Sequence, residues 1–252
     1  MTQQPFFTNL KGRACIKISG IERQTFLQGL ITNDLELLKQ QDCVYACLLT
    51  PQGKFLFDFF ITQDQDTLCL DCESGQRASD LLKLLTMYKL RAQAGLTLED
   101  NITVYAIIGA EIGHKDPRHP TMGYRSFTPP KDIAEQPFED WDSIRISLTI
   151  PDGSRDLIIG KSTMDEARMD KIHGISYEKG CYVGQELTAR MHYRGLGKKH
   201  LYTVTAQQLE LEAFPAPQTA LVHNDITIGD MRSSCGDLGI ALLKDQSADH
   251  IL

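Results

Sequence analysis

The sequence predicts an α+β fold with a largely antiparallel sheet, and three observations carry that reading. Two β-rich runs, 44–50 and 54–62, are joined by Pro51-Gln52-Gly53, the spacing of a hairpin. A third run, 67–73, leads into 77–91, where leucines at 81, 82, 84, 85 and 90 mark a buried amphipathic helix. From 201 onward, short β-rich runs are punctuated by Asn-Asp, Gly-Asp and Cys-Gly-Asp. A parallel sheet would instead demand a crossover helix between most strands.

In chain order, residues 14–19 alternate apolar and polar like a strand, and Ser19 with Glu22 has the S-x-x-E spacing of a capping box opening a helix over 22–30. Thr32-Asn33-Asp34 suits a turn or a second cap. After the hairpin, the third strand and the leucine-rich helix, 96–98 and 102–109 return to strand. Residues 113–137 are rich in Pro, Gly, His and charge and read as a surface excursion between elements. Trp141, Ile144, Ile146 and Leu148 fit a short helix nearly as well as a strand. The runs 201–205, 220–222, 226–229 and 240–243 form a small all-β unit, with the boundary before it near 195–199. There is no internal repeat and no low-complexity tract.

Composition bounds the function. A chain of 252 residues with 42% hydrophobic and 23% charged residues is long enough for one large or two moderate cores. Its 26 basic and 33 acidic residues give a net charge of -7, which argues against stable nucleic-acid binding or a grip on anionic lipid. A local basic cluster remains: Arg190, His192, Arg194, Lys198, Lys199 and His200, either a solvated helix end or an anion site. Seven cysteines with no secretory signal in residues 1–10 point to a reducing compartment, with the cytoplasm expected. The longest apolar runs, 55–61 and 102–110, fall far below the roughly 18 residues of a membrane span. Cys43 with Cys47 and Cys69 with Cys72 invite a metal reading. On a strand, however, positions three apart point to opposite faces, and no H-E-x-x-H, P-loop or G-x-G-x-x-G is present, so no metal site is expected.

The chemistry concentrates in Lys179-Gly180-Cys181-Tyr182-Val183-Gly184-Gln185-Glu186. It sets one thiol between two glycines just ahead of a run of good helix formers, 185–191. A helix N-terminus and Lys179 would favour a thiolate at Cys181; the alternative is a small buried hydrophobe in a glycine-flanked turn. Elsewhere Asp58 interrupts the apolar strand Phe55-Leu56-Phe57-Asp58-Phe59-Phe60, and a buried carboxylate needs a partner or a function, unless it lies on the exposed face.

The octapeptide resembles the K-G-C-Y-x-G-Q-E signature of YgfZ-type folate-binding proteins, relatives of the T-protein (aminomethyltransferase) of the glycine cleavage system. Phe26-Leu27-Gln28-Gly29-Leu30-Ile31-Thr32-Asn33-Asp34 resembles the F-L-Q-G-L-x-T-N-D run of the same proteins, and Ile150-Pro151-Asp152-Gly153-Ser154-Arg155-Asp156-Leu157 looks like their G-V-P-E-G-x-x-D element. The resemblance implies an aminomethyltransferase-like fold: α+β subdomains, roughly 1–100 and 101–196, with antiparallel sheets around a central channel, then a C-terminal β-barrel over 197–252. It implies binding of tetrahydrofolate or another reduced folate by Phe26, Gln28, Asn33, Asp58, Arg145, Tyr182, Gln185 and Arg194. The basic residues after the signature would receive a polyglutamyl tail, and Cys181 and Asp58 would be the reactive groups. It further implies a monomer, non-catalytic or weakly catalytic, that supports iron-sulfur cluster assembly or repair, and with it tRNA modification, through iron-sulfur proteins or assembly factors. A folate-dependent aminomethyltransferase is the alternative. Against it, Phe57 fills the position of the T-protein's first acid, and Arg145-Ile146-Ser147 has serine where that family's R-L-E-A-G helix has glutamate.

Overall fold

The computed structural model describes residues 4–252; the first three residues of the stretch read for a targeting signal lie outside them. The chain opens with β1 (Phe6–Asn9) and β2 (Arg13–Ser19), which enter different sheets after a turn in which Gly12 takes φ +78°. Helix α1 (Arg23–Gln28) is shorter than the expected 22–30, and the Ser19/Glu22 capping box does not form. Glu22 is itself the N-cap, and its carboxylate accepts the Gln93 N–H at 2.6 Å. Gly20, at φ +97°, lets residues 93–94 approach closely enough to supply this competing donor.

A 3-10 turn, Leu35–Lys39, is capped by Asp34, and then come β3 (Val44–Leu49), β4 (Phe55–Asp64), β5 (Thr67–Glu73), α2 (Gln76–Lys89) and β6 (Gly95–Glu99). The strands form an antiparallel sheet in the order β3-β4-β5-β2-β6. Because side chains alternate along a strand, its two faces differ completely. One face packs Ile16, Ile18, Phe59, Ile61, Leu68 and Leu70 against Leu27 of α1 and Leu81 and Leu85 of α2. The other carries Arg13, Cys15, Lys17, Asp58, Phe60, Cys69, Asp71 and Glu73.

The expected surface excursion is not one. Strands β7 (Tyr105–Ile108), β8 (His114–Lys115), β9 (Tyr124–Ser126) and β10 (Ala134–Glu135) join β1 in a second sheet, ordered β10-β1-β7-β9-β8. Within the segment, Asp116, Arg118, Met122, Arg125 and Ser126 are buried. Its charge is neutralised partly within the segment, Arg118 by Asp116, and partly from elsewhere in the chain, Arg125 by Asp71.

Helix α3 (Phe138–Ser147) settles the ambiguity at 141–148, and after a long turn-rich segment comes α4 (Gln185–Arg194). The last unit holds β11 (Lys199–Thr205), β12 (Ala220–His223), β13 (Ile226–Cys235), β14 (Leu238–Lys244) and the unforeseen helix α5 (Asp245–Ile251). Its antiparallel order is β11-β14-β13-β12, and among the described residues no β11–β12 pairing closes it. The small β unit expected at 197–252 is built on this antiparallel sheet. Leu201, Ile240 and Leu242 reach into the central core beside Trp141, Ile146 and Tyr45, so this sheet shares its core with the rest of the chain. Among the described residues no helix is long and apolar enough to cross a membrane.

Candidate functional site

The polar face of the first sheet, together with α3 and the 152–155 turn, walls a cavity of about 300 Å³ whose lining includes Lys11, Arg13, Arg77, Arg118, Arg125 and Arg155. That volume is at the lower end of small-molecule sites. Charges can be buried here because each is paired. Asp71 on β5 accepts Arg13 Nε at 2.6 Å through Oδ1 and the fork of Arg125 through Oδ2. Burial alone would raise the Asp71 carboxyl, but Arg125 and Arg13 hold it below the usual carboxylate range. Arg118 forks onto Asp116 at 2.8 and 3.0 Å. The ring of Phe60 lies under three guanidiniums, with Arg125 at 3.7 Å, Arg118 at 4.6 Å and Arg13 at 5.9 Å from its centroid. On the facing wall Arg155 bonds Asp142 at 2.8 Å and Asp152 at 2.9 Å. Burial opposes ionisation of Asp152 as well, yet Arg145 and Arg155 hold it at about 2.

Asp58 is buried on this side of the sheet but is not among the residues that line the cavity. Tyr45 donates its hydroxyl to Oδ2 at 3.0 Å, while Oδ1 has no hydrogen-bond partner among the described residues. Burial, then the nearby Glu73, pushes its carboxyl up to about 6, with Arg13 pulling the other way. Gly153 adopts φ +47°, and a Cβ there would overlap Glu73 Oε1 and stand 2.8 Å from Asp58 Oδ1. The missing side chain is what leaves the orphaned oxygen room. Ser154 donates its N–H and hydroxyl to Glu73 at 2.6 and 2.9 Å, fixing this turn over the carboxylates. Phe57, one residue back, faces the opposite core, where the Arg77 guanidinium lies 4.1 Å from its ring centroid.

The two signature stretches meet each other rather than the cavity. Neither Phe26, Gln28 nor Asn33 lines it. Phe26 packs into the α2-side core; Gln28 bonds Asp34 Oδ1 and the Leu35 N–H; Asn33 donates to the carbonyls of Tyr45 and His173 at 2.8 and 2.7 Å. Lys179 then drives its ammonium into this turn, donating to the carbonyls of Gln28, Ile31 and Asn33 at 2.7–2.8 Å. Burial lowers its pKa to about 8. Lys179 is thus a clasp between chain segments, and its charge is engaged there rather than spent on Cys181.

Cys181 follows the clasp on an exposed loop, whereas Cys15, Cys43, Cys47, Cys69 and Cys72 are buried and Cys235 is partly so. It lies near the N-terminus of a helix, as the sequence implies, but three residues ahead of the N-cap. Helix α4 begins at Gln185 with left-handed Gly184 as its N-cap, and the dipole's influence fades within a turn. Gly184 is needed because a Cβ would press on the Thr50 carbonyl, where α4 seats on the β3–β4 turn and Gly53 in turn meets Thr188. Tyr182 is buried with Lys179 Nζ 5.3 Å from its ring centroid, and Gln185 occupies the first position of α4.

Arg145, read as cofactor-binding, is fully buried and saturated: it bonds Asp142, Asp156, the Ile150 carbonyl and Ser233 Oγ, tying α3 to β13. The basic cluster after the signature divides among separate roles. His200 Nδ1 is held by Asp245 at 2.7 Å, and His192 stacks on Tyr177 with centroids 3.8 Å apart. Arg194 stays exposed on the last turn of α4 and does not line the arginine cavity. The residues missed from sequence are Arg13, Glu73, Arg77, Arg118 and Arg125. Arg13, Asp71 and Glu73 share the inward parity that marked Asp58, so the same argument would have found them. Arg118 and Arg125 carry no periodic signal.

No family model matches the chain. Among curated proteins it is similar to the mitochondrial iron-sulfur cluster assembly factor IBA57 of Mus musculus, at 30% identity over 94% of this chain and 77% of that protein. The Homo sapiens counterpart is 29% identical over 93% of this chain and 76% of its own length. A solved structure of the glycine cleavage system aminomethyltransferase T from Bartonella henselae superposes with a TM-score of 0.69 at 14% identity, covering 97% of this chain and 80% of that one. The aminomethyltransferase-like fold follows from that superposition. The relatives correct the expectation of a cytoplasmic protein, since they are mitochondrial by name. Free thiols report a reducing compartment without distinguishing one from another.

Proposed function

Because the chain belongs to the family of iron-sulfur cluster assembly factors named IBA57, we propose that it supports iron-sulfur cluster assembly, with Cys181 as its functional thiol and a reduced folate as the ligand of its arginine cavity. One observation carries the thiol's role. Of seven cysteines, Cys181 is the exposed one, and it stands on a loop whose base is pinned by the buried Lys179. A single sulfur cannot hold a cluster that takes about four protein ligands, so any cluster is shared with a partner that supplies the others.

The cavity's chemistry fits a folate. The cations around the cavity suit the carboxylates of the glutamate tail, and Asp58 Oδ1, buried without a partner behind the cavity lining at Gly153, suits the N–H edge of a pterin that displaces this turn. Lys11 at the rim and Arg77 take the tail in this reading, ahead of Arg194. The folate occupies and orders the channel; with Asp58 the single inward acid at the 57–58 position, aminomethyl transfer is the less favoured reading.

Complementation tests the first part. In cells lacking the native protein, Cys181→Ala is expected to fold and accumulate normally yet fail to restore an iron-sulfur enzyme; full restoration overturns the thiol's role. Calorimetry with tetrahydrofolate tests the second: Asp58→Asn should weaken binding without unfolding the protein, and unchanged affinity, or no heat with the unsubstituted protein, overturns the folate assignment.

A further inference from the structure

Beyond Phe60, the polar face of the first sheet continues into a second cavity, of about 630 Å³, lined by Cys15 and Cys69 together with Lys17, Thr62, Glu99 and His114. Neither the folate nor the Cys181 reading uses it. In the β2–β5 ladder Cys15 stands opposite Asp71 and Cys69 opposite Lys17, so the cysteines are diagonal neighbours on one face, and both line the cavity. Across the adjoining ladders Glu99 stands opposite Cys15 and Thr62 opposite Cys69, and Lys17 Nζ reaches Glu99 at 2.7 Å. Cys72, three residues after Cys69, points into the opposite apolar core and takes no part.

Two facts narrow what this pair can do. Diagonal neighbours in an antiparallel ladder lie roughly 7–8 Å apart. A disulfide usually requires Cα atoms within about 4.4–6.8 Å, so direct oxidation would have to pull β2 and β5 out of an uninterrupted register running from Arg13 to Ile18. Among the described residues, moreover, no third His, Cys, Asp or Glu joins them in a group able to hold an ion, which removes tetrahedral zinc and any iron-sulfur cluster. Two adjacent thiols opening on a cavity suit an ion satisfied by two sulfurs.

We propose that Cys15 and Cys69 form a two-thiolate site for a soft monovalent metal ion, with Cu(I) as its probe. Thiolates are the donors that soft ions select, and a filled-shell univalent ion is stable with two of them. Both S–H bonds break as two S–Cu bonds form, two protons leave to solvent, and the metal's oxidation state is unchanged. The complex carries one negative charge, set beside Lys17 at the position opposite Cys69. The site is separate from Cys181, so it can hold a metal whether or not that thiol meets a cluster.

The test uses the full chain bearing Cys181→Ser and Cys235→Ser, which removes the thiols open to solvent. Anaerobic titration with Cu(I) against a chromogenic chelator should show one ion bound, and X-ray absorption two sulfur neighbours. Adding Cys15→Ser or Cys69→Ser should lower the affinity by more than the about 10–100-fold that even outer-sphere substitutions cost, while Cys72→Ser changes little. Should a serine variant fail to fold, protection of Cys15 and Cys69 from alkylation by Cu(I) in the unsubstituted protein, read by peptide mass spectrometry, decides the matter. Absence of a bound ion, binding that survives Cys15→Ser, or a Cys15–Cys69 disulfide forming readily with oxidised glutathione would each overturn the assignment.

Discussion

Strands β2, β4 and β5 bury Ile16, Phe59 and Leu70 on one side and Arg13, Asp58 and Asp71 on the other, so residues adjacent in sequence occupy opposite environments. The apolar side is held by area and volume against α1 and α2, and its members are exchangeable for others of similar size. The charged side is held by pairing: Asp71 answers Arg13 and Arg125, and Asp116 answers Arg118. There a residue is tolerated because of one particular partner, so a change strands a charge. The lesson is that one sheet can be a robust scaffold on one face and an exacting site on the other.

The sharpest way to break the comparison is Asp71→Ala, which strips Arg13 of its ion pair and leaves Arg125 only the longer 3.9 Å contact to Asp116, and it is expected to cost about 3–5 kcal/mol in urea denaturation. A loss under about 1 kcal/mol would mean that water already reaches this face. Leu70→Ala, its neighbour on the apolar side, should cost somewhat less, about 2–4 kcal/mol, through transfer and cavity effects. Replacing Leu70 by Met should recover most of that loss, whereas Asp71→Asn should recover little of the charged-side loss.

Asp58 sharpens the contrast through pH. Its folded pKa of about 6 lies above the 3.8 of a free aspartate, so the native state binds its proton more tightly than the unfolded chain does. Asp58 therefore lowers stability progressively as pH rises from about 4 to 6, by at most about 3 kcal/mol, and the penalty is fully present above pH 6. Asp58→Asn should raise stability at pH 7.5 by about 1–2 kcal/mol, because the buried amide keeps a cost of its own, and should remove that slope. If the slope persists in the variant, another group titrates there. The smallest effect belongs outside both faces: Cys181→Ala should change stability by less than about 0.5 kcal/mol. Cys181 should also be the first thiol labelled by iodoacetamide near neutral pH, as its exposure requires; earlier labelling at Cys69 would place the accessible sulfur in the second cavity.

The sequence reads well wherever a local rule governs. The 44–62 hairpin, the helix after residue 76 and α4 follow from turn chemistry and apolar period, and the fold class follows from them. It reads poorly where a distant partner decides. Arg125 reads as loop charge, yet Asp71, 54 residues away, neutralises it, and Arg145 reads as a ligand contact, yet Asp156 and Ser233 surround it. Lys179 misled for the same reason: two positions from a thiol in sequence, its ammonium belongs to carbonyls some 150 residues away. Even α1's cap was lost to the Gln93 amide, which nothing near residue 22 announces.

The Lys179 clasp also sets an order of events during synthesis. The carbonyls of Gln28, Ile31 and Asn33 receive a donor made 146–151 residues later, so at about 5–20 residues per second the 28–33 turn waits roughly 7–30 s for it. Until then the sheet's apolar face can form against α1 and α2, whose residues emerge early, while that turn lacks the lysine that fills it. The loop carrying Cys181 emerges with the lysine that anchors it, so the thiol reaches its native setting only once both ends of the clasp exist.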